Sequence, residues 1–217
     1  MSTVRDLDRL VNHRHLLKHP FYTAWSRGTL PLDTLRDYAG QYYHFERNFP
    51  RYVAAAYSRI ERPEDRRVLL ENLIDEEGRS PTHPELWADF GRAIGTSVFD
   101  RRPTPATRGL LGMYERNTIN GSPPAALGAL YAYESQYPRV AAEKSRGLRE
   151  HYGIRSKRAH EFFRVHAFAD LEHSAAERRI LTHYLDRHPS AGTSALRATR
   201  DSLAAWWTFL DSFGIEA

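Results

Sequence analysis

Residues 162–178, FFRVHAFADLEHSAAER, contain neither proline nor glycine and read as helix, which turns about 100° per residue. His166, Asp170 and His173 then fall at i, i+4 and i+7, stacked on one face. Two placements account for such a column. It can lie on a solvated face, with Phe162, Val165, Ala169, Ala176 and Ile180 forming the buried stripe opposite. It can instead be part of a metal site, because neutral imidazoles and a carboxylate are usual nitrogen and oxygen ligands, although this helix alone favours the solvated face. Three donors on one helix are an incomplete set, so the choice turns on what other segments add.

Two segments add donors. In PPAALGALYAYESQYPRVAAEKSRGL, residues Leu127, Leu130, Tyr131, Glu134, Tyr137, Ala141, Lys144 and Leu148 follow the spacing of one helix face. That face is apolar except for Glu134 and Lys144. Buried charges need partners, and these two sit ten residues apart, about 15 Å along a helix, too far to pair with each other. In NLIDEEGRSPTHPELW, Glu76 stands seven residues before His83. Gly78 and Pro81 break the helix between them, so a kink would have to aim His83. Alone, this stretch is also an acid-rich helix end with a histidine at a surface turn. Together the three segments supply Glu76, His83, Glu134, His166, Asp170 and His173, an inventory suited to two non-haem iron or manganese ions in a helical bundle. The ferritin-like Glu-x-x-His pair is absent. Glu177, one turn beyond His173, is a supporting group or substitute ligand. His13, His15, His19, His44, His151, His160, His183 and His188 show no comparable grouping and read as surface or structural.

The elements that must position these groups are helical throughout, with no convincing hairpin. Helices are expected over about 4–17, 33–60 with a kink at Pro50, 64–77, the stretch ELWADFGRAIG, 107–118, 122–151 with Ser122 as N-cap and a kink at Pro138, 156–187, and 195–213. HPFYTAWSRGTL carries turn signals at Gly28 and Pro31, and HPSAGTS reads as a loop. No repeats or low-complexity tracts are apparent. Residues 1–217 therefore read as a single all-α domain of seven to eight helices.

Composition narrows the chemistry. The chain is 41% hydrophobic and 27% charged, as in ordinary globular proteins. It has no cysteine, which excludes disulfides, thiolate metal sites and a cysteine nucleophile. A net charge of +4 on scattered basic residues does not call for nucleic acid, and no apolar run suggests a membrane span. The opening MSTVRDLDRLVNH is charged, so a cytoplasmic location is expected. Of 31 basic residues only Lys18, Lys144 and Lys157 are lysine, which singles out Lys144 on its apolar stripe. An arginine there would stay protonated, whereas a buried lysine can lose its proton and act as a nucleophile.

The segments HPFYTAWSRGTL, DEEGRSPTHPELW, LYAYESQYPRVAAEKSRGL and VHAFADLEH, in this order, resemble the CADD-like proteins over about residues 6–213. These are relatives of pyrroloquinoline-quinone synthase and the TenA proteins within the haem-oxygenase-like helical fold. The resemblance implies that Glu76, His83, Glu134, His166, Asp170 and His173 are dimetal ligands for iron, or iron plus manganese. It also implies a dioxygen-dependent oxidase, supplied by a reductant, that forms para-aminobenzoate for folate. The protein itself is implied as substrate, with Tyr22 as the sacrificial tyrosine, Tyr133 as a second active-site tyrosine and Lys144 as amino donor. One departure is that Phe162 stands where family members can carry a tyrosine. The competing functions are oxidation of another small molecule (an amine, a fatty acid or a quinone precursor) and a non-enzymatic interaction protein. TenA thiaminase chemistry is disfavoured, since it uses a cysteine. A homodimer is left open.

Overall fold

The computed structural model describes residues 3–216. Its helices are α1 (Val4–His13), α2 (Pro20–Arg27), α3 (Leu32–Glu46), α4 (Phe49–Tyr57), α5 (Pro63–Glu77), α6 (His83–Ala93), α7 (Pro105–Tyr114), α8 (Pro123–Glu134), α9 (Tyr137–Glu150), α10 (Lys157–Arg187) and α11 (Gly192–Asp211). Counting each proline-broken pair, α3/α4 and α8/α9, as one gives nine helices among the described residues, one more than the sequence suggests. The addition is α2. His19 caps it by accepting the Phe21 N–H, Pro20 occupies its first turn, and Gly28 closes it.

Both prolines break their helices rather than merely kinking them. A proline ring clashes with the carbonyl four residues earlier, which for Pro50 is Glu46 and for Pro138 is Glu134. The helices accordingly end at Glu46 and at Glu134. The face expected on one kinked helix from Leu127 to Leu148 is therefore split between α8 and α9. HPSAGTS, expected as a loop, is a 3-10 turn (Pro189–Ala191) leading straight into α11. Ser122 stands at the N-cap of α8, but its hydroxyl bonds Ser194 instead of the helix backbone.

α8 is apolar on every side and is buried from Pro124 to Glu134, as a central helix must be. It packs against α11 and α10. Gly128 permits the close approach to α11, because a Cβ there would stand 2.5 Å from the Ala195 carbonyl oxygen. α10 in turn contacts α5, α6, α8 and α9, so its middle turns face the interior of the bundle. No helix among the described residues is long and apolar enough to cross a membrane.

Candidate metal centre

The solvated-face placement of the α10 column does not hold. His166, Asp170 and His173 are 3%, 1% and 6% exposed, whereas Phe168 and Leu171 on the same helix face solvent. Glu76, the second-last residue of α5, is buried, and so is His83, which opens α6. A capping box between Thr82 and Glu85 fixes the start of α6. The chain turns back between the two helices, so His83 Nδ1 lies 2.9 Å from Glu76 Oε2. The broken helix does aim His83, as its spacing required.

The donors form two overlapping groups. Ligand atoms of Glu46, Glu76, His83 and His166 all lie within 4.8 Å of one another, and so do those of Glu76, Glu134 and His173. Glu76 belongs to both. Asp170 borders the second group, with Oδ1 3.6 Å from His173 Nδ1. All six expected donors are thus brought together. Glu46 joins them unannounced by the sequence reading, although it stands one turn after Tyr42 on the buried stripe of Tyr38, Tyr42, Phe45 and Phe49. A lone carboxylate on that stripe was the available signal.

The hydrogen bonds orient the imidazoles. His166 Nδ1 lies 2.9 Å from the Phe162 carbonyl, which can only accept, so Nδ1 carries the proton and Nε2 presents a lone pair to the cluster. His173 Nε2 lies 3.3 Å from Asp75, leaving Nδ1 facing Glu134 and Asp170. Glu46 Oε1, Glu76 Oε1, Asp170 Oδ2 and His173 Nδ1 are buried and have no hydrogen-bond partner. Orphaned buried polar atoms are costly, and here they converge. A set of carboxylates and imidazoles with orphan lone pairs fits iron or manganese.

Burial and crowding of like charge set the protonation. Burial, with Glu76 adding, lifts the Glu46 carboxyl to about 8, and burial lifts Asp170 to about 7. Glu134 and Glu177 are also raised, in each case chiefly by burial. Burial pulls His83 down, but Glu76, with Glu46 and Asp170 adding, raises the imidazole to about 9. Buried together, the carboxyl groups oppose one another's ionisation, and bound cations would favour their ionised forms.

A second layer of polar groups adjoins the donors. The hydroxyls of Tyr42 and Tyr133 are in direct contact, and the Tyr42 hydroxyl donates to that of Tyr137 at 3.2 Å. Lys144 Nζ donates to the hydroxyls of Tyr137 (3.3 Å) and Tyr38 (2.7 Å), and Tyr38 pairs with Tyr22 at 3.0 Å. Tyr22, Tyr133 and Lys144, expected from separate segments, therefore share one hydrogen-bonded line. Tyr38, Tyr42 and Tyr137 complete it; of these only Tyr137 is placed by the sequence reading, on an otherwise apolar helix face. Phe162 packs on His166 with ring centroids 4.0 Å apart. His15, His19, His44 and His160 are buried elsewhere and hydrogen-bonded to protein groups.

Fold and donor set together define a haem-oxygenase-like helical protein with a buried carboxylate–histidine cluster. The chain belongs to the family of iron-containing redox enzymes, whose sequence pattern matches residues 36–207. It is 38% identical over 216 residues to the 4-aminobenzoate synthase of Chlamydia muridarum, covering 98% of this chain and 90% of that one. A TenA homologue from Pseudomonas syringae pv. tomato has the same fold, with a TM-score of 0.82 at 19% identity over 97% of this chain and 90% of its own. A CADD-like protein of unknown function from Nostoc punctiforme gives 0.74 at 20% identity, covering 98% of this chain and all of its own (100%). The resemblance to CADD-like proteins read from the motifs is borne out.

Proposed function

We propose that this protein is a dioxygen-dependent dimetal oxidase that forms 4-aminobenzoate, drawing the aromatic ring from Tyr22 and the amino nitrogen from Lys144. Glu76, His83, Glu134, His166, Asp170 and His173 would hold two ions, iron or iron plus manganese. When bound, and supplied with an external reductant, such ions furnish the redox chemistry of dioxygen. The observation that carries the reading is the continuous line of hydroxyls and one amine from Tyr133, the neighbour of donor Glu134 in the chain, through Tyr42, Tyr137, Lys144 and Tyr38 to Tyr22. Likeness to 4-aminobenzoate synthases gives it a product.

The chain's own residues have definable tasks. Burial keeps the phenols of Tyr22, Tyr38, Tyr42, Tyr133 and Tyr137 protonated by raising their pKa values. A buried phenol gives up an electron readily only if its proton has somewhere to go. Burial also pushes the Lys144 amine well below its usual range, with Glu46 opposing, which favours the neutral amine with its free lone pair. It can accept a proton from Tyr38, or act as nucleophile towards an oxidised ring. Surrounding aromatic rings, among them Trp25 and Trp87, exclude water from Nζ. Surface clefts reach His83 beside Pro81 and Phe168, and His173 beside Ile74 and Leu171, giving small molecules a short approach.

Expression with ring-labelled tyrosine and nitrogen-labelled lysine tests the reading. After exposure to iron, reductant and air, both labels should appear in 4-aminobenzoate, and the intact protein should lose the corresponding mass. Unlabelled product would show that the substrate is an external molecule.

A further inference from the structure

We infer that Glu46 is a metal ligand in its own right, binding the ion held by His83 and His166. The inference rests on the reading of the buried cluster as a metal centre. Three independent observations lead to it.

The first is a short correspondence within the chain. Residues 45–50 read FERNFP and residues 133–138 read YESQYP, each an aromatic, a glutamate, two residues, an aromatic and a proline. The backbone repeats as well. Arg47 has φ −66° and ψ −15° against −64° and −20° at Ser135. Asn48 has φ −100° and ψ −14° against −107° and −18° at Gln136. In both places the proline ends the helix at the glutamate four residues before it. Glu46 and Glu134 are therefore the terminal residues of two matching helix breaks. Both are buried, at 2% and 0% exposure, and each faces one of the two donor groups.

The second is the geometry at His166. Its Nε2 presents a lone pair, and the facing atom 3.8 Å away is Glu46 Oε1, itself without a hydrogen-bond partner. That separation is too long for a hydrogen bond. Ligand atoms each bonded at about 2.1 Å to one ion stand about 3–4 Å apart, and the 3.8 Å separation falls in that range. The third is the grouping itself. Without Glu46, the ion between His83 and His166 has Glu76 as its only carboxylate within the group, and Glu76 is shared with the other site. Glu46 gives each site a carboxylate of its own, Glu46 for one and Glu134 for the other.

The test is anaerobic titration with manganese(II), read by electron paramagnetic resonance of the free ion. The wild-type chain should bind about two ions, as its ligand set supports. Glu46→Gln keeps size and polarity; it should retain the ion at Glu134, Asp170 and His173 while the other binds at least about tenfold more weakly, as expected when one ligand is lost. Crystals of the wild-type chain soaked in manganese(II) give a check that does not depend on the variant folding. The anomalous peak beside His83 and His166 should lie within bonding distance of a Glu46 oxygen. Glu46→Gln binding both ions with wild-type affinity, or a peak bonded to both histidines but not to Glu46, overturns the assignment and leaves the metal centre standing. A wild-type chain that binds neither manganese(II) nor iron(II) overturns both.

Discussion

Lys144 Nζ stands 2.7 Å from the Tyr38 hydroxyl, and the lysine is only 1% exposed. It therefore points into the bundle and does not run its stem out to water, the usual habit of a lysine on an apolar face. Its surroundings are aromatic: Tyr22, Tyr38, Tyr42, Trp87 and Tyr137 all have ring centroids within 5.5 Å of Nζ. An arginine there would bring a permanent charge into a site without an adjacent counter-ion. Lys144→Met is the cleaner replacement, matching the stem and staying neutral. It should change stability by less than about 1.5 kcal/mol, the range of volume-conserving core swaps, and leave metal content unchanged. It should also abolish 4-aminobenzoate formation. Near-normal product from the methionine variant would show that the amino group has another source.

Tyr22 and Tyr38 should respond differently to loss of their hydroxyls. Tyr22 has one hydrogen-bond partner, Tyr38, which keeps Lys144 when Tyr22 becomes Phe. Tyr22→Phe should cost about 1 kcal/mol, bind metal normally and yield no product. Tyr38→Phe leaves the Tyr22 hydroxyl without a partner and Lys144 with Tyr137 alone. Stranding buried groups costs about 1–3 kcal/mol for each one left unpaired. Thermal melts of the two variants measure this, and equal losses would show that Tyr38 does not hold the line together.

The column on α10 was legible because one helix carries all three groups and 3.6-residue periodicity places them on one face. Lys144 was legible because a lysine is rare in this arginine-rich chain and sits on an apolar stripe. Glu46 was not, because its neighbours in the cluster come from α5, α6 and α10, and only tertiary packing brings α3 beside them. Tyr38, Tyr42 and Tyr137 went unremarked because a buried tyrosine reads as core until its hydroxyl has a partner. α2 was missed for a local reason: eight residues are too few to show helical periodicity, and its evidence lies in the cap at His19 and the stop at Gly28.

Glu76 is the one carboxylate common to both donor groups. Glu134→Ala and His166→Ala each remove a donor from a single group, so each should lower iron or manganese content from about two ions towards one. Glu76→Ala takes a donor from both and frees His83 from its 2.9 Å partner. It should bring the content close to zero under the same conditions. Metal analysis after anaerobic loading and desalting reads the difference. Retention of one tightly bound ion by Glu76→Ala would show that the two groups do not share that residue.

Outside the cluster, His15 should shape the acid limb of stability. It is 7% exposed, and its Nδ1 accepts the Leu17 N–H at 3.1 Å, which requires that nitrogen to be unprotonated. Burial, with the charges of Arg139 and Lys18 adding, lowers its pKa from 6.5 to about 4. In the unfolded chain the same group takes up its proton near 6.5. Between these values the unfolded chain binds more protons, so the His15 contribution is complete above 6.5 and drains away as pH falls towards 4. His15→Asn cannot titrate, and its side-chain oxygen can still accept the Leu17 N–H. At about pH 7.5 the variant should melt below the wild type, having lost the packing of the ring. The gap should narrow, or reverse, by about pH 5, because only the wild type pays for protonation in that range. Melting curves at several pH values decide it, and a constant gap across the range would show that His15 titrates alike in the folded and unfolded chains.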